Sequence, residues 1–163
     1  VCISIEARLQ KDEVYAPIAS MFKQFELFYV VGSERDQVRW RTNFRNEQVF
    51  MYSIITSKER ARNLFLVYMM RINELADRPE FYHLLSNSCT VNIVRYANAA
   101  GRVGRFDYRH LLNGLIDRYL YSVGMVDRSL PFDEFRRRSN ITEVSKSAPD
   151  DEHYSETIRK GLP

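Results

Sequence analysis

The order of hydrophobic patterns predicts an α+β fold: an antiparallel meander sheet packed against a helical half. Three observations carry that prediction: residues alternate with a period of two at the start, Phe25–Val31 is a nearly continuous apolar run, and the second half spaces its apolar residues by three and four. Val1–Ala7 places Val1, Ile3, Ile5 and Ala7 on one face and Cys2, Ser4 and Glu6 on the other, the period of a half-buried strand. Phe25–Val31 is broken only by Glu26 and reads as a strand buried on both faces. A turn over Gly32-Ser33-Glu34-Arg35-Asp36 then leads to Gln37–Asn43, where Val38, Trp40 and Thr42 alternate with Arg39 and Arg41. Val49–Ile54 follows as a further strand. The connections are too short for parallel crossovers, so a meander is expected.

The helical half begins at Thr56-Ser57-Lys58-Glu59, which has the form of a capping box. Ala61, Leu64, Phe65, Tyr68, Met69, Ile72, Leu75 and Ala76 then predict a long amphipathic helix, stopped by Arg78-Pro79. Its stripe Leu64-Phe65-Tyr68-Met69 is expected in the core. A second helix is expected over Cys89–Ala100, with Ser88 or Asn87 as its cap, Ile93, Val94, Ala97 and Ala100 inward, and Gly101 as its stop. Asp107 is expected to cap a third, with Leu111, Leu112, Leu115, Ile116, Tyr119, Leu120 and Val123 inward and Gly124 at its end. Pro131 marks the start of a short fourth helix. Ser139–Pro149 is polar and reads as a loop, and Asp150–Lys160 as a last helix closed by Gly161.

The chain has 163 residues, which suits a single domain, 1–163, with a sizeable core. It is 45% hydrophobic and 28% charged, which argues against a disordered chain. No apolar run approaches the ~20 residues of a spanning helix. Lys+Arg 24 against Asp+Glu 21 gives +3, too weak to imply nucleic acid, and none is expected as a partner. Two cysteines do not make a disulfide scaffold. Without CxxC, HExxH or paired histidines at helical spacing, neither a metal nor a cofactor is called for. The chain opens at Val1 inside a strand, without an initiator Met, and is expected to be a piece of a longer protein.

Cys89 is the leading candidate for chemistry. It follows Ser86-Asn87-Ser88 and begins a helix. The positive end of the helix dipole favours a thiolate, and N–H groups there stabilise an oxyanion when the thiolate attacks a carbonyl. A small buried residue at a helix start is an equal reading on these grounds. A nucleophilic cysteine needs a base. His83, His110 and His153 are available, but none has a motif relation to Cys89, and each also reads as a surface or capping residue. Arg39, Arg41 and Arg45, beside Glu34-Arg35-Asp36, read first as a solvated strand face and second as a cradle for phosphate or carboxylate. Arg136-Arg137-Arg138 reads as a solvated basic run, with anionic lipid head groups second.

In consecutive order, Glu26-Leu27-Phe28-Tyr29-Val30-Val31, Glu34-Arg35-Asp36 and Arg41-Thr42-Asn43 resemble blocks of a bacterial envelope family: the N-terminal periplasmic domain of Lnb-type lipoprotein N-acyltransferases. Phe81-Tyr82-His83-Leu84-Leu85-Ser86-Asn87-Ser88-Cys89-Thr90-Val91-Asn92-Ile93 is similar to its central motif. Leu111-Leu112-Asn113-Gly114, Ser129-Leu130-Pro131-Phe132 and Ile158-Arg159-Lys160-Gly161-Leu162-Pro163 also fit. The resemblance implies a permuted papain-like fold of the NlpC type in the periplasm, with Cys89 as the acyl-accepting nucleophile. It implies Asn87, Ser88 and Thr90 as supporting or oxyanion residues. Tyr82, Glu34, Arg35, Asp36, Arg39 and Arg41 are then candidates for substrate binding. The implied partners are a phospholipid acyl donor, a lipoprotein acceptor and a membrane surface. The implied reaction is ping-pong transfer through a thioester to the lipoprotein's N-terminal amine.

The chain departs from the pattern in two ways. The family's histidine lies upstream of the strand matched by Val1–Ala7, so the general base is expected outside this chain. His83 and Ser88 stand where the family more often has Asn. The alternatives are a papain-like amidase or peptidase of the envelope, and a non-catalytic envelope binding domain with a structural Cys89.

Overall fold

A computed structural model describes residues 1–8, 25–83, 85–101, 107–111 and 113–163. Strands β1 (Cys2–Arg8) and β2 (Glu26–Gly32) form a two-stranded antiparallel sheet. Helix α1 (Glu34–Arg39) runs directly into a π-helical turn (Trp40–Phe44). Then come α2 (Lys58–Asp77), α3 (Cys89–Ala99), two 3-10 turns (Tyr108–Leu111 and Asn113–Leu115) and α4 (Ile116–Ser122). Short helices α5 (Phe132–Arg138), α6 (Thr142–Ser147) and α7 (Tyr154–Thr157) complete the described order. The α+β class holds, but the meander does not: among the described residues the only sheet is the β1–β2 pair.

Two compact units divide these residues. One comprises Ile3–Val30 and Thr56–Ile116. Its core is Ile5, Phe25, Leu27, Tyr82 and Tyr96, with Leu64, Val67, Tyr68 and Leu75 of α2 packed against it. β2 is not buried on both faces: Leu27 is buried, but Glu26 is exposed. Its start pairs instead with the segment before α3. The Leu27 amide donates to the Glu80 carbonyl at 2.8 Å, and the Tyr82 amide to the Phe25 carbonyl at 2.7 Å.

In α2 the N-cap is Ser57, one residue after the Thr56 of the expected box, and its hydroxyl accepts from the Arg60 amide at 3.2 Å. The helix ends at Asp77, as Pro79 requires. Its expected core stripe is only half right. Leu64 and Tyr68 reach the core, but Phe65 is exposed and no α2 residue is fully buried. In α3 the buried residues are Thr90, Asn92 and Tyr96; of the expected aliphatic stripe Ala100 is buried, at the end of the helix, but Ile93 is exposed. Hydrophobicity alone misplaced this face, because the polar groups turned inward find hydrogen-bond partners there. Gly101, at φ 99°, ends it in the left-handed region. The third expected helix opens as 3-10 turns, and α-helix begins only at Ile116. The Asp107 carboxylate accepts from the Arg109 amide at 2.9 Å, so it caps a 3-10 turn. Leu84 and Leu112, both named above, lie outside the described residues.

The other unit comprises Val1–Cys2, Val31–Ile55 and Asp117–Pro163, around Val38, Ile141, Ala148, Tyr154 and Ile158. Here Gln37–Asn43 is helical, not a strand. Val38 and Thr42 share a face in both patterns, since a step of four is two strand periods and about one helical turn. Trp40 distinguishes the two patterns, and it is exposed. The overlooked signal is Ser33: it is the N-cap of α1, and its hydroxyl accepts from the Asp36 amide at 3.0 Å. Among the described residues Val49–Ile54 joins no sheet. It makes one isolated bridge, Phe50 with Asn140, supported by the Met51 amide on the Ser139 carbonyl at 2.8 Å.

Ser139–Pro149 is not a loop but contains α6, and Ser139, Thr142 and Ser145 are buried. Their hydroxyls are satisfied. Ser139 donates to the Phe135 carbonyl at 2.8 Å, and Thr142 accepts from the Val49 amide at 3.0 Å. Ser145 lies 2.7 Å from the Thr42 hydroxyl and 2.6 Å from the Tyr154 hydroxyl. Such buried polar groups are tolerated only when paired. Of the last expected helix, only Tyr154–Thr157 is α-helical, with turns continuing to Gly161 at φ 84°.

Candidate active site

Cys89 is the first residue of α3, an 11-residue helix, and its side chain is half-buried. Ser88 caps the helix: its hydroxyl accepts from the Val91 amide at 3.4 Å, and its carbonyl from the Asn92 amide at 3.0 Å. The sulfur lies 3.9 Å from the Tyr82 hydroxyl, which donates to it, and 3.9 Å from the Thr90 hydroxyl. Tyr82 is buried and its backbone is fixed by Phe25, so its ring stays at the thiol.

The loop before Cys89 is held by a chain of amides and acids. Asn87 donates to Glu80 Oε2 at 3.1 Å and to the Phe81 carbonyl at 2.9 Å, and accepts from Asn92 Nδ2 at 2.9 Å. Glu80 is itself anchored by Arg71 at 2.8 Å. Arg95 closes the set on the Ser86 carbonyl at 2.9 Å and Asn92 Oδ1 at 3.3 Å. Glu80, Phe81, His83, Ser86, Asn87 and Arg95 line a cleft of about 320 Å³. Beneath α3, the Tyr29 and Tyr96 hydroxyls hydrogen-bond, and the Tyr68 ring meets that of Tyr96 edge-on at 5.2 Å. Burial, then the hydrogen bond and charge of Tyr96, push the Tyr29 phenol well above its ordinary value. Burial likewise raises Tyr68. Both stay neutral hydroxyls at any physiological pH. Glu80 and Asn92 carried no expectation as site residues. The signals were there: an acid before the aromatic pair, and an Asn three residues after the cysteine.

The histidines have structural employment. His83 Nδ1 accepts from the Leu85 and Ser86 amides at 3.3 and 3.2 Å, which places its neutral-form proton on Nε2. His110 is buried in the 3-10 turn that packs against α3, and its Nδ1 accepts from the Asp107 amide at 3.3 Å. His153 is exposed, 3.5 Å from Glu156.

The remaining candidates, Glu34, Arg35, Asp36, Arg39 and Arg41, belong to the other unit and sit on α1 and the π-helical turn rather than on a hairpin. Arg35 reaches Asp150 at 3.2 Å, and Arg39 reaches it at 3.8 Å. Arg41 meets Glu47 at 3.2 Å, and Glu34 takes both Arg159 nitrogens, at 2.5 and 2.6 Å. Among the described residues no group of three or more His, Cys, Asp or Glu is placed to hold a metal ion.

The class these features define is an α+β protein with an accessible cysteine heading a capped helix, the thiol held beside a buried tyrosine. Residues 1–124 match the Lnb N-terminal periplasmic domain, and the chain belongs to that family. It is a periplasmic domain of an Lnb-type envelope protein, in a family associated with enzymatic function. No helix among the described residues is long and apolar enough to cross a membrane. No curated protein and no solved structure gave a match.

Proposed function

We propose that this chain is a cysteine-dependent acyltransferase domain of the permuted papain-like type, with Cys89 as its nucleophile. The observation that carries the reading is the sulfur's place: at the head of α3, half-buried, with the Tyr82 hydroxyl 3.9 Å away. The Cys89 thiolate attacks the ester carbonyl of a phospholipid. The acyl C–O bond breaks, and the glycerol oxygen leaves with a proton, giving a thioester. The N-terminal amine of a lipoprotein then attacks that thioester. Its C–S bond breaks, the amine loses a proton, and the thiol returns. Amide groups at the head of α3 stabilise the oxyanion of each tetrahedral intermediate. Asn87 supports them by bonding Glu80 and Asn92 at once, which fixes the loop that ends at Cys89.

Mass spectrometry of the intact full-length protein incubated with phospholipid tests this. A hydroxylamine-labile acyl adduct should appear on Cys89 and be absent from Cys89→Ala. An unacylated Cys89 in active, folded protein would overturn the proposal. Release of free fatty acid, with no acyl transfer to an amine acceptor, would reassign the domain as a hydrolase.

A further inference from the structure

The cleft before Cys89 carries two opposite charges that do not meet. Glu80 and Arg95 both line it, yet no ion pair joins them among the described residues. Two amides hold them apart. Asn87 donates to Glu80 and accepts from Asn92, and the Asn92 oxygen accepts from Arg95. Asn92 is fully buried on α3, so this spacer is fixed. Each charge is left short of a counter-charge. The Arg95 guanidinium meets only neutral oxygens, those of Ser86 and Asn92. Glu80 has Arg71, but Arg71 divides its charge between Glu80 and Glu74. Opposite charges in one cleft gain by pairing. Where a rigid spacer prevents that, a ligand carrying both signs completes them.

We infer that this cleft binds the head group of a zwitterionic phospholipid, with its phosphate at Arg95 and its primary ammonium at Glu80. Arginine's planar fork suits a phosphate diester. His83 adds a second donor to the lining: two backbone amides occupy Nδ1, so the neutral ring carries its proton on Nε2. Phe81, half exposed in the same cleft, offers the glycerol carbons an apolar wall. Ser86 and Asn87 form the wall that leads to Cys89, so a head group held here has its ester groups on the thiol's own loop. The inference rests on the proposed acyl transfer in that such a lipid would be the donor. Binding itself does not need the thiol.

The test uses the full-length protein and soluble head groups, read by phosphorus NMR line broadening. Glycerophosphoethanolamine should bind about tenfold more tightly than glycerophosphoglycerol, which has the phosphate but no ammonium. Glu80→Gln should remove that preference. Arg95→Gln should weaken both ligands, and Arg95→Lys should restore part of the loss, with circular dichroism unchanged in each. Phosphatidylethanolamine micelles should displace the soluble ligand. Cys89→Ala should bind as the native protein does, so an unacylated Cys89 with head-group binding intact would sink the catalytic reading alone. Equal affinity of the native protein for the two head groups would overturn the inference, whether or not the variants fold. So would tighter binding of a short peptide with a free N-terminal amine, which would assign the cleft to the acceptor.

Discussion

At the scale of single residues, the two thiols differ in their surroundings. Burial, and next the charge of Glu34, push the Cys2 thiol above its ordinary value, which lowers its thiolate fraction at neutral pH. Cys89 heads a helix beside a tyrosine hydroxyl. Iodoacetamide at neutral pH should therefore label Cys89 before Cys2, read by peptide mapping at short times. Faster labelling of Cys2 would count against a nucleophilic Cys89. Glu34 offers a separate test. Burial raises its carboxyl, but the paired hydrogen bonds from Arg159 outweigh that and hold it below its ordinary 4.5. A carboxylate depressed on folding stabilises above its unfolded value, and the contribution fades as pH falls through the folded one. The urea midpoint should thus be lower for Glu34→Gln than for the native protein at pH 7, and the gap should close below pH 4.5. A gap that persists in acid would mean the Glu34 contribution is packing, not charge.

At the scale of elements, α3 holds the candidate chemistry, and its two ends are secured by different means. Ser88 closes the N-terminus through its hydroxyl, and Gly101 takes the left-handed conformation after the C-terminus. Ser88→Ala should cost about 1 kcal/mol in urea unfolding. If the oxyanion donors head this helix, it should also slow acylation of Cys89 while leaving the thiol accessible. Unchanged acylation in a destabilised variant would confine Ser88 to folding. The same kind of cap on α1, at Ser33, is what turns a two-residue alternation into a helix.

At the scale of the molecule, the family match ends at residue 124, yet the unit around Val38 is built largely from residues beyond it. Ile141, Ala148, Tyr154 and Ile158 all pack in that core. Ile158 is almost wholly buried, so Ile158→Ala should destabilise by about 2–5 kcal/mol, measured by urea unfolding. A loss well under 1 kcal/mol would show that the final segment is dispensable to that core. The hydroxyl chain from Thr42 through Ser145 to Tyr154 should make the unit intolerant of a broken pairing, because each buried hydroxyl left alone costs about 1–3 kcal/mol.

Much of the candidate site was legible in the linear order. A Ser-Cys step opening a helix, a glycine closing it, and ordered blocks around it are local features, and local hydrogen bonds decide them. So are the ends of α2 and the start of β1. Other features depended on distant partners. Residues 37–44 carry a pattern common to strand and helix, and contact with Ile141, Ser145 and Tyr154 defines which side is inward. Within the polar run 139–147, Ser139, Thr142 and Ser145 are buried because their hydroxyls meet the Phe135 carbonyl, the Val49 amide and the hydroxyls of Thr42 and Tyr154. Asn92 and Tyr96 face inward against their polarity for the same reason: Asn87 and Tyr29 are there to receive them. The sequence by itself determined the family, the helix start at Cys89 and the caps around it. The tertiary structure decided which polar residues are interior and which aromatics stay in water, because desolvation is settled only when a partner arrives from elsewhere in the chain.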